Sequence, residues 1–147
     1  MVKHRSPKPR FRVRVAAGPQ NMGDIVPLKN GVSLSLSMCK EYLGKKVKII
    51  VDQPFGTYYK NALYTSNYGY VPKTLAPDGM ELDAYFLGPK VPLKEVEGIC
   101  IAIIHRLDDD DDKLILIEDG KELTDEEIEN EVNFREKYFR HIIVRTS

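Results

Sequence analysis

One stretch of the chain, residues 67–83, concentrates groups that could do chemistry: Tyr68, Tyr70, Lys73 and the carboxylates Asp78, Glu81 and Asp83. Tyr64 stands just upstream. A second acidic cluster, the aspartates 108–112, runs directly into Lys113. Carboxylate oxygens from two segments suit a hard divalent cation, and lysine and tyrosine donors suit a phosphate. If the two segments meet in space, the combination is one for metal-assisted phosphoryl chemistry. Each cluster also has a plainer explanation. Pro77-Asp78-Gly79 is an ordinary tight turn, dense tyrosines usually pack, and a charge run between strands is usually a solvated loop. Five adjacent aspartates repel one another, however, and a bound cation would relieve that repulsion.

Other chemistries are excluded by spacing. The aspartate run lacks the spaced ligands, mid-loop glycine and closing glutamate of an EF-hand. Three histidines (His4, His105, His141) and two cysteines (Cys39, Cys100) lack the spacing of a zinc site. No Walker A or dinucleotide fingerprint occurs. His105, beside Arg106 at the end of an apolar run, reads as a surface or core residue. Cys100 sits in Gly-Ile-Cys-Ile-Ala-Ile-Ile and reads as a small buried hydrophobe.

The chain has 147 residues, 42% hydrophobic and 30% charged, which fits one soluble domain with a sizeable core. Its longest apolar run, residues 98–104, is strand-sized, so no bilayer span is expected. No apolar segment follows the basic start, and two lone cysteines fit a reducing compartment; a cytoplasmic location is the expectation. Net charge is zero but unevenly spread. Residues 1–37 hold seven Lys/Arg against one acid, a net of +6, and the rest hold fifteen against twenty-one, a net of −6. The chain therefore divides into a basic, partly flexible extension, 1–37, and an acidic body, 38–147.

The elements that must position these groups follow from the pattern. Residues 11–15 alternate apolar and basic, as a strand with one wet face does. Residues 16–37 mix Gly, Pro and Ser with short alternation at Val32, Leu34 and Leu36, suggesting at most a hairpin. Strands are expected at 45–51, 84–87, 99–107 and 114–118, with turns at 53–56 and 77–79. Thr124-Asp125-Glu126-Glu127 is a capping box. After it Ile128, Val132, Phe134, Tyr138, Phe139 and Ile142 fall on one helical face. The expected fold is α+β: a small, mostly antiparallel, OB-like β-barrel with a C-terminal amphipathic helix packed on it. No internal repeat is found.

These motifs together resemble the soluble, family I inorganic pyrophosphatases, in their compact subgroup. The likeness rests on Asn67-Tyr-Gly-Tyr-Val-Pro, Asp78-Gly-Met-Glu-Leu-Asp83, Leu87-Gly-Pro, the aspartate run with Lys113, Lys48-Ile-Ile-Val-Asp52-Gln-Pro54, and Phe134-Arg-Glu-Lys-Tyr138-Phe. It covers residues 38–143. The resemblance implies hydrolysis of pyrophosphate with several Mg²⁺ ions, Mn²⁺ being an alternative. Asp78, Asp83, Asp108 and Asp111 correspond to metal ligands, and Asp52 to a further active-site carboxylate. Tyr68, Lys113 and Tyr138 correspond to residues that bind phosphate oxygens. Pyrophosphate is the expected partner, with self-association into a homo-oligomer and no membrane or nucleic acid.

Three departures stand out. Met80 occupies a position where the family has a carboxylate that contacts the nucleophilic water, and a thioether cannot accept that proton. Glu81 is the candidate substitute, although neighbours on a strand point to opposite faces. The segment between Asp52 and Tyr64 is short, where longer relatives carry a hairpin with a Lys, a Glu and an Arg; Lys60 and Arg106 are the candidate stand-ins. Phe139 replaces a lysine. Two alternatives follow: a pyrophosphatase-like protein that binds phosphate compounds with weak or no hydrolysis, and an OB-like nucleic-acid-binding module using the basic arm.

Overall fold

The structure, a computed structural model, describes residues 28–29, 32–109 and 111–145. The strand expected at 11–15 and most of the basic extension lie outside the described residues. The element order is β1 (Leu28–Lys29), β2 (Val32–Ser33), α1 (Leu34–Lys40), β3 (Lys46–Gln53), β4 (Tyr58–Tyr59), β5 (Ala62–Leu63), β6 (Asn67–Tyr70), β7 (Asp83–Phe86), β8 (Glu95–Arg106), β9 (Lys113–Ile117), α2 (Asp125–Glu136) and β10 (His141–Arg145).

Strands β3, β6, β7, β9 and β8 pair in a ring, because β8 bonds to β3 at one end of the order and to β9 at the other. This is the expected OB-like barrel. Its pairings are antiparallel except β7–β9, which is parallel. The ring closes because β8 is long enough to be shared. Its Glu95–Ile99 half pairs with β3, while residues 99–104 pair with β9. Residues 102–106 pair with β10.

Period-two alternation builds two apolar layers. Val47, Ile49 and Val51 of β3, Ala84 and Phe86 of β7, and Leu114 and Leu116 of β9 fill the barrel, joined by Cys39 from α1. The intervening residues Tyr85, Leu87, Ile115 and Ile117 face outward, where Ile128 and Val132 of α2 cover them. Strand β9 is therefore buried on both faces and reads as an unbroken apolar run.

The Asn-Tyr-Gly-Tyr motif is strand β6, which is not among the strands expected from the sequence. Gly69 lies opposite Val51 on β3. A Cβ built on it would fall 1.9 Å from the Ile50 carbonyl oxygen and 2.8 Å from Val51 Cα. Only a residue without a side chain lets β6 approach β3 this closely. Asn67 is buried and structural: its Oδ1 accepts from the amides of Phe55 (2.9 Å) and Leu93 (3.1 Å), and its Nδ2 donates to the Val91 carbonyl (3.0 Å).

Three sequence expectations change. The helix does not reach Ile142; it ends at Glu136, with Lys137 as its cap. Ile142 instead lies on β10, where β-branched Ile142, Ile143 and Val144 suit the free edge of β8. Residues 34–40 form a helix rather than alternating chain, and it crosses the boundary expected near Met38. Ser35 and Cys39, four apart on one helical face, are both buried. A short hairpin does exist between Asp52 and Tyr64: β4 and β5 pair around Lys60 and Asn61, whose φ values of 51° and 65° are those of a two-residue I′-type turn.

Gly69→Ala should destabilise the barrel by at least the ~1–3 kcal/mol typical of overpacking, because backbone rather than a flexible side chain blocks the new methyl. Urea unfolding checks this. A midpoint unchanged from wild type would show that β3 and β6 can separate freely.

Candidate active site

The strand register gathers polar groups on the face that α2 covers. Tyr68, Tyr85, Ile115 and Ala102 form one row across β6, β7, β9 and β8. Tyr70, Asp83, Lys113 and Ile104 form the next. Alternation along β8 then brings Arg106 to the same face as Ile104. The first row lies in the apolar layer under α2, and the second leads to the charged groups at the helix C-terminus.

Those charges interlock. The Lys113 ammonium, fully buried, lies 2.9 Å from both Asp83 Oδ2 and Asp111 Oδ2. Arg106 donates through Nε to Glu136 Oε1 (2.9 Å) and through its Nη2 to Oε2 (2.8 Å). Tyr85 donates its hydroxyl to the same Oε2 at 2.6 Å. The remaining terminal nitrogen of Arg106 lies 3.6 Å from Asp109 Oδ2 and 3.6 Å from Asp111 Oδ2. The guanidinium stacks on Phe139, 3.7 Å from the ring centroid. Burial would push the Glu136 carboxyl up, but the Arg106 charge and hydrogen bonds hold it at about 2. Burial likewise pushes the Tyr64 hydroxyl up to about 12, against the pull of Arg135, so it stays protonated as a donor.

Beside this network lies a cavity of about 270 Å³. Asp52 and Gln53 from β3, Tyr59, Lys60 and Ala62 from the β4–β5 hairpin, Tyr64, Tyr68, Arg135, Tyr138 and Phe139 line it. The β3 register shifts between Val51 and Gln53, which makes Asp52 a bulge residue and gives its side chain a direction the regular ladder would not. Tyr68 joins cavity and network, since its ring lies 5.6 Å from the Lys113 ammonium and 5.0 Å from the Arg135 guanidinium.

The residues singled out in the sequence therefore divide. Asp52, Tyr68, Tyr138 and the stand-in Lys60 line the cavity. Asp83, Asp111 and Lys113 meet in the buried network. Asp108 points elsewhere: it accepts from Arg140 Nε and from the Arg140 amide, both at 2.8 Å. Slight burial would raise its pKa, but the Arg140 hydrogen bonds and charge bring it below the usual carboxylate value. Asp78 lies on an exposed turn, its Oδ1 accepting from the Met80 amide at 2.9 Å. Met80 and Glu81 precede β7, so the strand rule that would send them to opposite faces does not govern them. The other stand-in, Arg106, is held by Glu136 and Phe139. Sequence reasoning missed Arg135, Glu136 and Tyr85. Their partners are far away in sequence, and only the Phe134–Phe139 motif marked the neighbourhood. It also missed Asp112, which is buried and accepts from the Arg106 amide (2.8 Å). Its Oδ2 lies 3.0 Å from His105 Nδ1.

A hard divalent cation fits the donor chemistry here. Asp83, Asp109, Asp111 and Glu136 outnumber the cations Lys113 and Arg106 that touch them. Among the described residues no three acid, His or Cys side chains converge on one point. One or two carboxylates completed by water and phosphate oxygens is the arrangement magnesium commonly adopts.

The closed five-stranded ring is an OB-like barrel, with acids, cations and tyrosines gathered where its outer helix ends. The family model for inorganic pyrophosphatase matches residues 37–143. The chain belongs to the inorganic pyrophosphatase family. Soluble inorganic pyrophosphatase 2 of Chlamydomonas reinhardtii is 38% identical over 84 residues, 50% of this chain and 44% of that one, so the match spans less than half of that relative's length. Solved inorganic pyrophosphatases share the fold. The Ehrlichia chaffeensis structure aligns with TM-score 0.54 at 14% identity, covering 67% of this chain and 84% of its own. The Thermus thermophilus structure gives 0.54 at 17%, covering 68% and 82%. The Helicobacter pylori structure gives 0.51 at 18%, covering 71% and 86%. No helix among the described residues is long and apolar enough to cross a membrane.

Glu136→Gln should cost up to roughly 3–5 kcal/mol at neutral pH, because it leaves the buried Arg106 charge with only the more distant Asp109 and Asp111 as counter-ions. The sign of the pH effect follows from the depressed pKa. The Glu136 contribution is complete above its ordinary value of 4.5 and is lost as pH falls toward about 2. Wild type should therefore lose more stability than Glu136→Gln across that window in parallel denaturation curves. Equal losses would contradict the assignment.

Proposed function

We propose that this protein hydrolyses inorganic pyrophosphate to two phosphates, with Mg²⁺ as cofactor and Mn²⁺ able to replace it. The observation that carries the reading is the adjacency of a phosphate-scale cavity, bearing Asp52, Lys60, Tyr68 and Tyr138, to the Asp83–Lys113–Asp111 network. Family membership supports the same reaction.

In this reading Tyr68, Tyr138 and Lys113 hold phosphate oxygens, which suit strong, short-reach donors. Asp83 and Asp111 would hold the metal, with Asp78 contributing from the adjoining turn and Asp108 only on release from Arg140, which holds both of its oxygens. The bound ion would supply neutralisation of the phosphate charge and a more acidic water. Asp52 orients water on the cavity wall, and Glu81 accepts the proton that Met80 cannot. Lys60 offsets the charge of the dianionic ends. A cytoplasmic homo-oligomer completes the proposal; Cys39 and Cys100, both free and buried, suit a reducing compartment.

A second reading, phosphate binding with little hydrolysis, is favoured by Met80 and by the engagement of both Asp83 and Asp111 with Lys113.

Purified protein should release phosphate from pyrophosphate with Mg²⁺, less with Mn²⁺, and none without metal. Asp83→Ala should abolish release. No turnover with either ion overturns the proposal. Met80→Glu separates the two readings: a gain approaching the ~10²–10⁴ worth of a general base marks a weakened site. An unchanged rate shows that Glu81 or water already serves.

A further inference from the structure

Arg135 differs from every other arginine among the described residues. Arg106, Arg140 and Arg145 each pair with a carboxylate, at 2.8, 2.8 and 2.7 Å respectively. Arg135 forms no ion pair with a described residue. It is half-buried in the last turn of α2 and lines the cavity. One terminal nitrogen donates to the Tyr64 hydroxyl at 3.1 Å, and the guanidinium lies 5.0 Å from the Tyr68 ring centroid. Glu136 attracts it from farther away, but both Glu136 oxygens already accept from Arg106 or Tyr85.

A guanidinium carries five N–H donors in a fixed fork. Here Tyr64 engages one and fixes the direction of the rest. A partly desolvated cation without a carboxylate partner calls for an anion, and the cavity is where one can reach it. Among the described residues the only other cation of the lining is Lys60, at the tip of the β4–β5 hairpin, and the only acid is Asp52. Two cations against one acid suits a small polyanion. A planar fork matches two oxygens of one phosphoryl group, whereas an ammonium acts as a point charge.

We infer that Arg135 binds substrate, its guanidinium donating hydrogen bonds to the oxygens of one phosphoryl group of a diphosphate that enters this cavity. The inference rests on the function proposed above and adds a residue to its binding site. The charge is in place before the substrate arrives and acts on the ground state. Its loss therefore weakens binding more than it slows turnover.

The test is calorimetric binding of imidodiphosphate with Mg²⁺, together with steady-state hydrolysis of pyrophosphate, in wild type, Arg135→Gln, Arg135→Lys and Tyr64→Phe. Arg135→Gln should raise both Kd and KM on the order of 10- to 100-fold, as loss of a charged hydrogen-bond partner does, with kcat little changed. Arg135→Lys should recover part of the loss, and Tyr64→Phe should show a smaller loss of the same kind. A thermal-melt series reports folding, and imidodiphosphate should raise Tm less in Arg135→Gln than in wild type. Wild-type Kd in both Arg135 variants overturns the inference, even if wild type hydrolyses pyrophosphate. Binding that depends on Arg135 without any hydrolysis upholds it and overturns the proposed reaction. A wild-type protein that neither binds nor hydrolyses overturns both.

Discussion

The site depends on one buried ion pair, Arg106 with Glu136. A carboxylate in the last turn of a helix faces the negative end of the helix dipole, and burial adds a desolvation cost. Glu136 is stable there only because Arg106 gives it two hydrogen bonds and Tyr85 a third. The same guanidinium reaches toward Asp109 and Asp111 and stacks on Phe139. It thereby fixes the end of α2 against the barrel and the aspartate loop against both. An apolar replacement could match this pair for stability, but it could not direct the loop carboxylates. The position of Asp111, and through it of Lys113, follows from Arg106.

Lys113 then sets the electrostatic character of the site. Its ammonium sits between Asp83 and Asp111, so two carboxylates that would repel each other share a cation inside the fold. Tyr68 separates this compensated pair from the cavity, where the balance reverses and cations outnumber acids. A negative cluster and a positive pocket on either side of one tyrosine suit a cation and a polyanion that bind together.

Much of this architecture was legible in the sequence. The strands expected at 45–51 and 114–118 form within a residue or two as β3 and β9. The Thr124 capping box forms as read, Thr124 Oγ1 accepting from the Glu127 amide and Glu127 Oε1 accepting from the Thr124 amide. The paired Tyr and Asp motifs pointed to the family and the barrel. Other features left no local trace. Strand β6 hides in Asn-Tyr-Gly-Tyr, because its glycine answers to the approach of β3 rather than to its own propensity. The helix end was missed because apolar spacing continued past Glu136 by coincidence, while the edge of β8 claimed Ile142 to Val144. A run of identical aspartates cannot say which members turn inward, so Asp108 and Asp111 became distinct only through Arg140 and Lys113. The Arg106–Glu136 pair joins residues that no periodicity connects.

The sharing of β8 bears on how the protein is made. One edge of that strand takes β3 along its first half and β10 along its second, and β9 occupies the opposite edge. Closing the ring requires Lys46 to meet Ile99 across the whole middle of the domain, so chain entropy is lost before most of the pairing enthalpy arrives. A nascent chain that has reached β8 but not β10 holds half an edge of apolar, β-branched strand open to other chains. Assembly in the cell is then a race between emergence of the last strand and encounter with a second copy, and the edge most exposed in that race is the one β10 covers in the finished fold.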